Sequence, residues 1–469
     1  MPKRNLIWIL AVVAASLVTL LITRSQPRPG TVPPGEFDPV SEAYRTIREH
    51  YLYPLDENEL RRGAIGGMVS RLDEYSTYIP PSRAQAFADR MAGLAWGSGL
   101  KVEARGEEVV VVGPLAGSPA QNGPALRGDR ILEIDCREAS HLSQAGVEEL
   151  LEDSPAASIR LLVLRADGKK EVLRCSRGKF PVESVQGLYR SSLGEWVYRI
   201  DPEGGVAYVR VREILPDTPE SLRSALRQLE HVRSLIVDLR DNPGGDLLAA
   251  VDLANLLIPR GPIVTVVDRR GRTEHVASAA HQALGEQVRV VALIDENTAS
   301  AAEIVAGALR YRDRGALVGQ RTRGKGCVQS MIPLEGGLGR LNLTTAEFFV
   351  DPQRPIQRQK DSNAWGVDPH VEVELPAPLG SRLRVLRVRA EVLPPARPTT
   401  RSASTRATAE EADTGRLLLQ LDPQLNQAIA LANDPARIDD LLRRAARLRE
   451  EARTRPATTR PAAPSGAPP

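Results

Sequence analysis

Residues 288 to 304 read VRVVALIDENTASAAEI. Val288 to Ile294 is a short apolar run rich in branched side chains, the mark of a strand buried on both faces. Asp295 to Ala299 is turn chemistry, and Ser300 to Arg310 then predicts a helix. Ser300 therefore falls where a buried strand gives way to the first turn of a helix. Backbone N–H groups there have no partners, and the helix dipole favours negative charge. The N–H of Ala301 stands ready as an oxyanion donor, as acyl transfer requires. Serine is also a common helix cap, so Ser300 read alone is first a cap and only second a nucleophile.

The same unit occurs upstream. Ser234 to Leu239 reads as a strand, Asp246 to Leu257 as an apolar helix, and between them lies the tight turn Asn242-Pro243-Gly244-Gly245. Glycine lets a backbone N–H approach a ligand closely, so Gly244 or Gly245 is a candidate second oxyanion donor. Downstream, TRGKGCVQS places Lys325 between two glycines, with Gln329 four residues on. A serine nucleophile needs a base, and a lysine whose pKa is lowered by burial serves as one; Gln329 is placed to orient the amine. A surface lysine in a glycine turn is the ordinary alternative. Against it, only seven of the 62 basic residues are lysines, and lysine, unlike arginine, can give up its proton.

Outward from this core, the 469 residues allow several domains. Residues 6–23 form an uncharged apolar run behind Lys3 and Arg4. At about 1.5 Å per residue it nearly crosses a bilayer core, and the basic flank predicts that the body lies outside the cytoplasm. Residues 1–24 are thus expected to be a transmembrane signal anchor, with a cleaved signal peptide as the competing reading. Residues 25–36 are a Pro- and Gly-rich linker. Residues 37–92 read as a helical segment and 93–180 as a small β-rich domain with a helix at Gln144 to Leu151. Residues 181–394 carry the α/β units. Residues 395–415 read as a flexible linker, 416–453 as helical, and 454–469 as a disordered tail.

A net charge of +3 gives no case for nucleic-acid binding. Six scattered histidines, without HExxH or CxxC, give a metal site little support, and no cofactor is expected. Three cysteines make no disulfide framework; Cys136, Cys175 and Cys327 read as small buried apolar residues.

Together these pieces resemble the carboxy-terminal processing peptidases, or tail-specific proteases. The family's S-A-S-A-S-E motif stands here as Thr298-Ala299-Ser300-Ala301-Ala302-Glu303, with the outer serines replaced and the central one kept. Its G-K-G-x-V-Q is intact from Gly324 to Gln329, and D-L-R-x-N-P-G-G from Asp238 to Gly245. The resemblance extends to the stretch from Gly63 to Pro81, to a PDZ-like core from Gly117 to Asp135, to a closing strand from Trp365 to Val373, and to a C-terminal helix from Asp422 to Ala432. It makes Gly97, Ser98, Gly99 and Leu100 the loop that holds a substrate's C-terminal carboxylate.

The fold so implied is multidomain, α+β and α/β: an N-terminal membrane helix, a helical segment, a PDZ-like domain and a crotonase-like protease core. The activity implied is serine endopeptidase cleavage near protein C-termini in the cell envelope, with Ser300 as nucleophile, Lys325 as base, Gln329 orienting it, and Ala301 with Gly244 or Gly245 as oxyanion donors. Partners implied are proteins with apolar, flexible C-termini, the membrane, and a second copy through the terminal helices. Two rivals remain. One is a membrane-anchored PDZ scaffold with an inactive protease fold, for which loss of Ser300 or Lys325 would be the expected mark. The other is an acyl-coenzyme A enzyme on the crotonase-like core, against which stand the PDZ-like segment and GKGxVQ.

Overall fold

The computed structural model describes residues 38–152, 156–201, 205–229, 231–277, 284–351, 354–360, 362–394 and 413–454. The expected anchor (1–24), the 25–36 linker, nearly all of the 395–415 linker and all but the first residue of the tail lie outside them. No helix of the described residues is long and apolar enough to cross a membrane.

The chain divides into two units, 1–71 and 72–469. In the first, Asp38–His50 and Glu57–Val69 are helices. Asp56 caps the second by accepting the N–H groups of Asn58 and Glu59. Glu57 joins the two, pairing with Arg48 at 2.9 Å and accepting the Tyr44 hydroxyl at 3.2 Å. The segment read as helical, 37–92, is helical only in parts. Thr77–Ile79 is a strand of the second unit, paired antiparallel with Arg340–Asn342, because a β-branched and aromatic triplet fits a pleated edge better than a helix. The Pro81–Met91 helix follows it.

Next comes a largely antiparallel sheet in the order Leu100–Arg105, Glu108–Pro114, Arg130–Ile134, Ser158–Leu164 and Lys170–Ser176. The Gln144–Glu152 helix packs over it, and Leu100, Val111, Ile134, Val147, Leu151 and Leu161 share its core. Cys175 lies inside, as expected. Cys136 does not: it is exposed in a tight turn at φ 65°, a conformation dictated by the hairpin between Arg130–Ile134 and Arg137–Glu138.

The central sheet has the order Val185–Gln186, Val206–Val211, Ser234–Asp238, Arg289–Ile294, Gly315–Gly319, Val371–Glu372, parallel after the first pair. Its two faces are read directly from the period of two. Leu235, Val237, Val290, Ala292 and Ile294 enter one core, with the Leu247–Leu257 and Ala301–Tyr311 helices. Ile236, Val291, Leu293, Ala316 and Val318 enter the other, with Leu383, Leu386, Leu425, Ala428 and Ile438. The C-terminal helical stretch is broken at Asp422 and again at Asp434, giving the Pro423–Ala432 and Pro435–Thr454 helices. Proline at the first position of each starts a new helix rather than continuing the old one. In a parallel sheet the loops at the carboxyl ends of adjacent strands converge. Here those are residues 239–246, 295–300 and 320–326.

Candidate active site

These three loops are laced together. The Ala299 N–H donates to the Asn242 carbonyl at 2.9 Å, and the Arg323 N–H to the Thr298 carbonyl at 3.0 Å. Thr298 donates its hydroxyl to the Leu239 carbonyl at 2.8 Å, and the buried Asp295 accepts the Thr298 N–H at 2.9 Å and the Asp241 N–H at 3.1 Å. Burial, with Asp241 beside it, pushes the Asp295 carboxyl up from its usual range.

Ser300 caps the Ala301–Tyr311 helix at φ 55° and ψ −122°, a left-handed conformation that a non-glycine residue adopts only when its surroundings impose it. The restraint comes from Glu303, three residues on and fully buried. Its Oε2 accepts the N–H groups of Ser300 and Lys325, both at 2.8 Å. Its Oε1 accepts the Thr322 hydroxyl at 2.6 Å and the Gly324 N–H at 2.8 Å. Burial pushes this carboxyl up, and the four donors oppose the shift without cancelling it. Glu303 closes the motif that begins at Thr298, yet the motif alone gives it no role. The capping-box spacing of Ser300 and Glu303 was the available signal.

Gly244 sits at φ 98°, and a Cβ there would stand 2.8 Å from Ser300 Cβ and 2.9 Å from the Ala301 nitrogen. No other residue fits. Its N–H is engaged, donating to Asn242 Oδ1 at 2.8 Å. Asn242 is held in turn by Nδ2 on the Val211 carbonyl at 2.8 Å. Among the described residues neither the Gly245 nor the Ala301 N–H donates a hydrogen bond. The arrangement has parts that acyl transfer by a serine needs: a hydroxyl, unspent N–H groups on Ala301 and on Gly245 in the turn packed against it, and a lysine loop held on the same carboxylate.

Lys325 Nζ lies 4.9 Å from the centre of the Tyr75 ring, and no hydrogen bond joins it to Ser300. Burial first, then Glu74, pushes the Tyr75 hydroxyl up to about 12. The Gln329 amide nitrogen donates to Cys327 Sγ at 3.0 Å and Thr344 Oγ1 at 3.2 Å. The structure thus brings Ser300, Ala301, Gly244, Gly245 and the Lys325 backbone together, while no hydrogen bond joins the Lys325 amine to Gln329.

Behind the site is a second feature missed from the sequence. Arg240, fully buried, donates to Asp238 through Nε at 2.9 Å and Nη2 at 2.7 Å, and through Nη1 to Asp422 and Gln424, both at 2.9 Å. Tyr208 donates its hydroxyl to Asp238 at 2.8 Å. Burial alone would raise Asp238, but Arg240, Arg387 and Arg210 hold it well below the usual carboxylate range. Asp422 also caps the Pro423–Ala432 helix, so the strand feeding the Gly244 turn is bolted to that helix.

The predicted carboxylate loop is in the antiparallel domain. Gly97 pairs with Gly178, Ser98 is fully buried, and the Ser98 and Gly99 N–H groups donate to none of the described residues. The Leu100 N–H reaches Ser98 Oγ at 3.2 Å.

Comparison with known proteins gives a consistent set of matches. The model of peptidase family S41 matches residues 205–373, and that of the activating protease CtpB N-terminal domain matches residues 21–81. The carboxy-terminal processing protease CtpA of Bacillus subtilis is 28% identical, over 80% of this chain and 78% of its own. The chloroplastic C-terminal processing peptidase of Tetradesmus obliquus is 31% identical, over 74% of this chain and 76% of its own. The carboxyl-terminal-processing protease of Synechocystis is 31% identical, over 70% and 75%. Among solved structures, the photosystem II D1 C-terminal processing protease aligns over 72% of this chain and 87% of its own, at 26% identity and a TM-score of 0.43.

Proposed function

This chain belongs to peptidase family S41, among the carboxy-terminal processing proteases, and from that premise we propose that it cuts protein substrates with Ser300 as nucleophile and Lys325 as base. It is a serine-type peptidase. The observation that carries the site assignment is the shared oxygen of Glu303, which holds the N–H groups of Ser300 and Lys325 together.

In the reaction, the Lys325 amine leaves the Tyr75 ring and takes the Ser300 hydroxyl proton as Oγ attacks the peptide carbonyl. The N–H groups of Ala301 and Gly245 receive the oxyanion; Gly245 is chosen because the Gly244 N–H is already spent on Asn242. Losing one such donor costs about 100- to 1000-fold in rate. The C–N bond breaks as the Lys325 ammonium protonates the leaving amine. Water then gives a proton to Lys325, attacks the acyl-Ser300 ester, and releases the new C-terminus while Ser300 regains its hydrogen. Gln329, whose Oε1 accepts no bond among the described residues, turns to hold the amine in the working arrangement.

The PDZ-like domain takes the substrate's tail as an added strand along Leu100–Arg105, with its carboxylate on the loop Gly97 to Leu100. The free N–H groups of Ser98 and Gly99 support that placement. Residues 6–23 anchor the chain, with its body in the cell envelope. Val40 and Ile47, exposed on a helix that buries none of its residues, support self-association through the terminal helices; light scattering of the full chain tests this.

The experiment is cleavage of an unstructured protein with an apolar C-terminus by the full chain in detergent. Activity in the parent and none in Ser300→Ala, Lys325→Ala or Lys325→Arg is expected. Activity surviving Lys325→Ala would assign the base elsewhere. Tail binding without cleavage in any form would favour the scaffold.

A further inference from the structure

Among the described residues the Leu100–Arg105 strand pairs on one side only, with Glu108–Pro114. Backbone groups along a strand alternate between its two sides. The Gly99 carbonyl accepts the Leu115 N–H at 2.9 Å on the paired side. Lys101, Glu103 and Arg105 therefore face the partner strand, and Leu100, Val102 and Ala104 present their backbone groups to the open edge.

That edge is partly taken. Gln144, first residue of the Gln144–Glu152 helix, reaches across to it. Its Oε1 accepts the Ala104 N–H at 2.8 Å, and its Nε2 donates to the Val102 carbonyl at 3.0 Å. Nε2 also donates to Glu148 Oε1, one turn along the helix, at 2.7 Å. The carboxamide thus supplies one acceptor and one donor where an incoming strand would supply its own, and every strong hydrogen-bonding direction of the nitrogen is used. Left open before the carboxamide are the Leu100 carbonyl and the Val102 N–H, and beyond it only the Ala104 carbonyl among the described residues.

We propose that Gln144 sets the length of tail this domain reads, limiting it to the last three residues. This rests on the reading that the domain takes C-terminal tails along Leu100–Arg105. The tail's final N–H pairs with the Leu100 carbonyl, and the carbonyl of the third residue from the end with the Val102 N–H. Upstream of that point the substrate leaves the strand edge, because the next two positions are filled. Displacing Gln144 would exchange two hydrogen bonds for two and lose the one to Glu148, so a longer tail gains nothing by it.

The test is binding of fluorescent peptides to the full chain carrying Ser300→Ala, which prevents turnover. The peptides have apolar ends: three residues, six residues, six with the N–H of the third-from-last residue methylated, and six with an amidated C-terminus. In the otherwise unaltered chain the three- and six-residue peptides should bind within about two-fold of each other, and methylation should change little. With Gln144→Ala, and again with the near-isosteric Gln144→Met, the six-residue peptide should gain about 5- to 10-fold, the worth of one or two hydrogen bonds, and methylation should remove the gain. A parent that already prefers six residues and loses the preference on methylation would overturn the proposal, as would two variants with unchanged length dependence. Binding indifferent to amidation, or absent in every form, would overturn the tail-binding reading itself and this inference with it.

Discussion

The Lys325 N–H ends on the same oxygen of Glu303, at the same 2.8 Å, as the N–H of Ser300. Two loops that share no strand are thereby fixed to one carboxylate, and their separation depends on its having two equivalent accepting oxygens. Glu303→Gln replaces one of them with a donor facing N–H groups. A fall in kcat of about 100-fold is expected from the resulting misplacement, with KM for a tailed substrate nearly unchanged. Steady-state kinetics with a melting curve alongside checks it; a loss confined to KM would mean that Glu303 does not position the chemistry.

Gly244→Ala should be inactive though folded. The added methyl would meet Ser300 Cβ at 2.8 Å, and φ 98° is unfavourable to alanine. A rate loss of about 100-fold or more is expected, as for loss of an oxyanion donor, with the circular dichroism spectrum of the folded parent retained. Near-parental turnover would mean that the turn relaxes freely and that Ser300 does not depend on it.

Asp422→Ala should destabilise the chain by about 3–5 kcal/mol, since it removes one of the two buried carboxylates that balance Arg240 and Arg387 and leaves both guanidinium groups to share Asp238. The combined Asp422→Leu and Arg240→Met change should cost less than the two single changes added together. Denaturant unfolding of the four proteins measures the coupling, and strict additivity would show that the pair is not coupled.

His370 predicts a pH dependence of stability. Its Nδ1 accepts the Leu317 N–H at 2.9 Å while its Nε2 is buried without a partner among the described residues. Burial first, then Arg310 and Arg449, hold the imidazole down to about 3 from its ordinary 6.5. The folded state thus prefers the neutral ring. Its stabilising contribution is complete above pH 6.5 and is lost as pH falls from 6.5 toward 3, by up to about 1.4 kcal/mol per unit. His370→Asn, which keeps an acceptor for Leu317, should flatten the melting temperature between pH 6.5 and 4.5. An unchanged acid limb would place the sensitivity in other groups.

Much of this was legible locally. Strand and helix periods located Ser234–Asp238, Arg289–Ile294, and the Gln144–Glu152 and Ala301–Tyr311 helices to within a residue or two, because burial patterns repeat over a few positions. Thr77–Ile79 was hidden in a stretch read as helical, since three residues carry too little period to announce a strand whose partner begins at Arg340.

The sequence by itself determined the strand–turn–helix units, the residue at the head of each helix, and the order of the three motifs, all properties of neighbours along the chain. Only the tertiary structure decided that Glu303 serves both Ser300 and Lys325, and that the Gly244 N–H is spent while that of Gly245 is not. It alone decided that Arg240 fastens the Gly244 strand to Asp422, 182 residues away. A carboxylate or guanidinium declares its hydrogen-bonding capacity in the sequence. Which partners fill that capacity depends on how distant segments are brought together when the sheet closes, and local propensity carries no information about that.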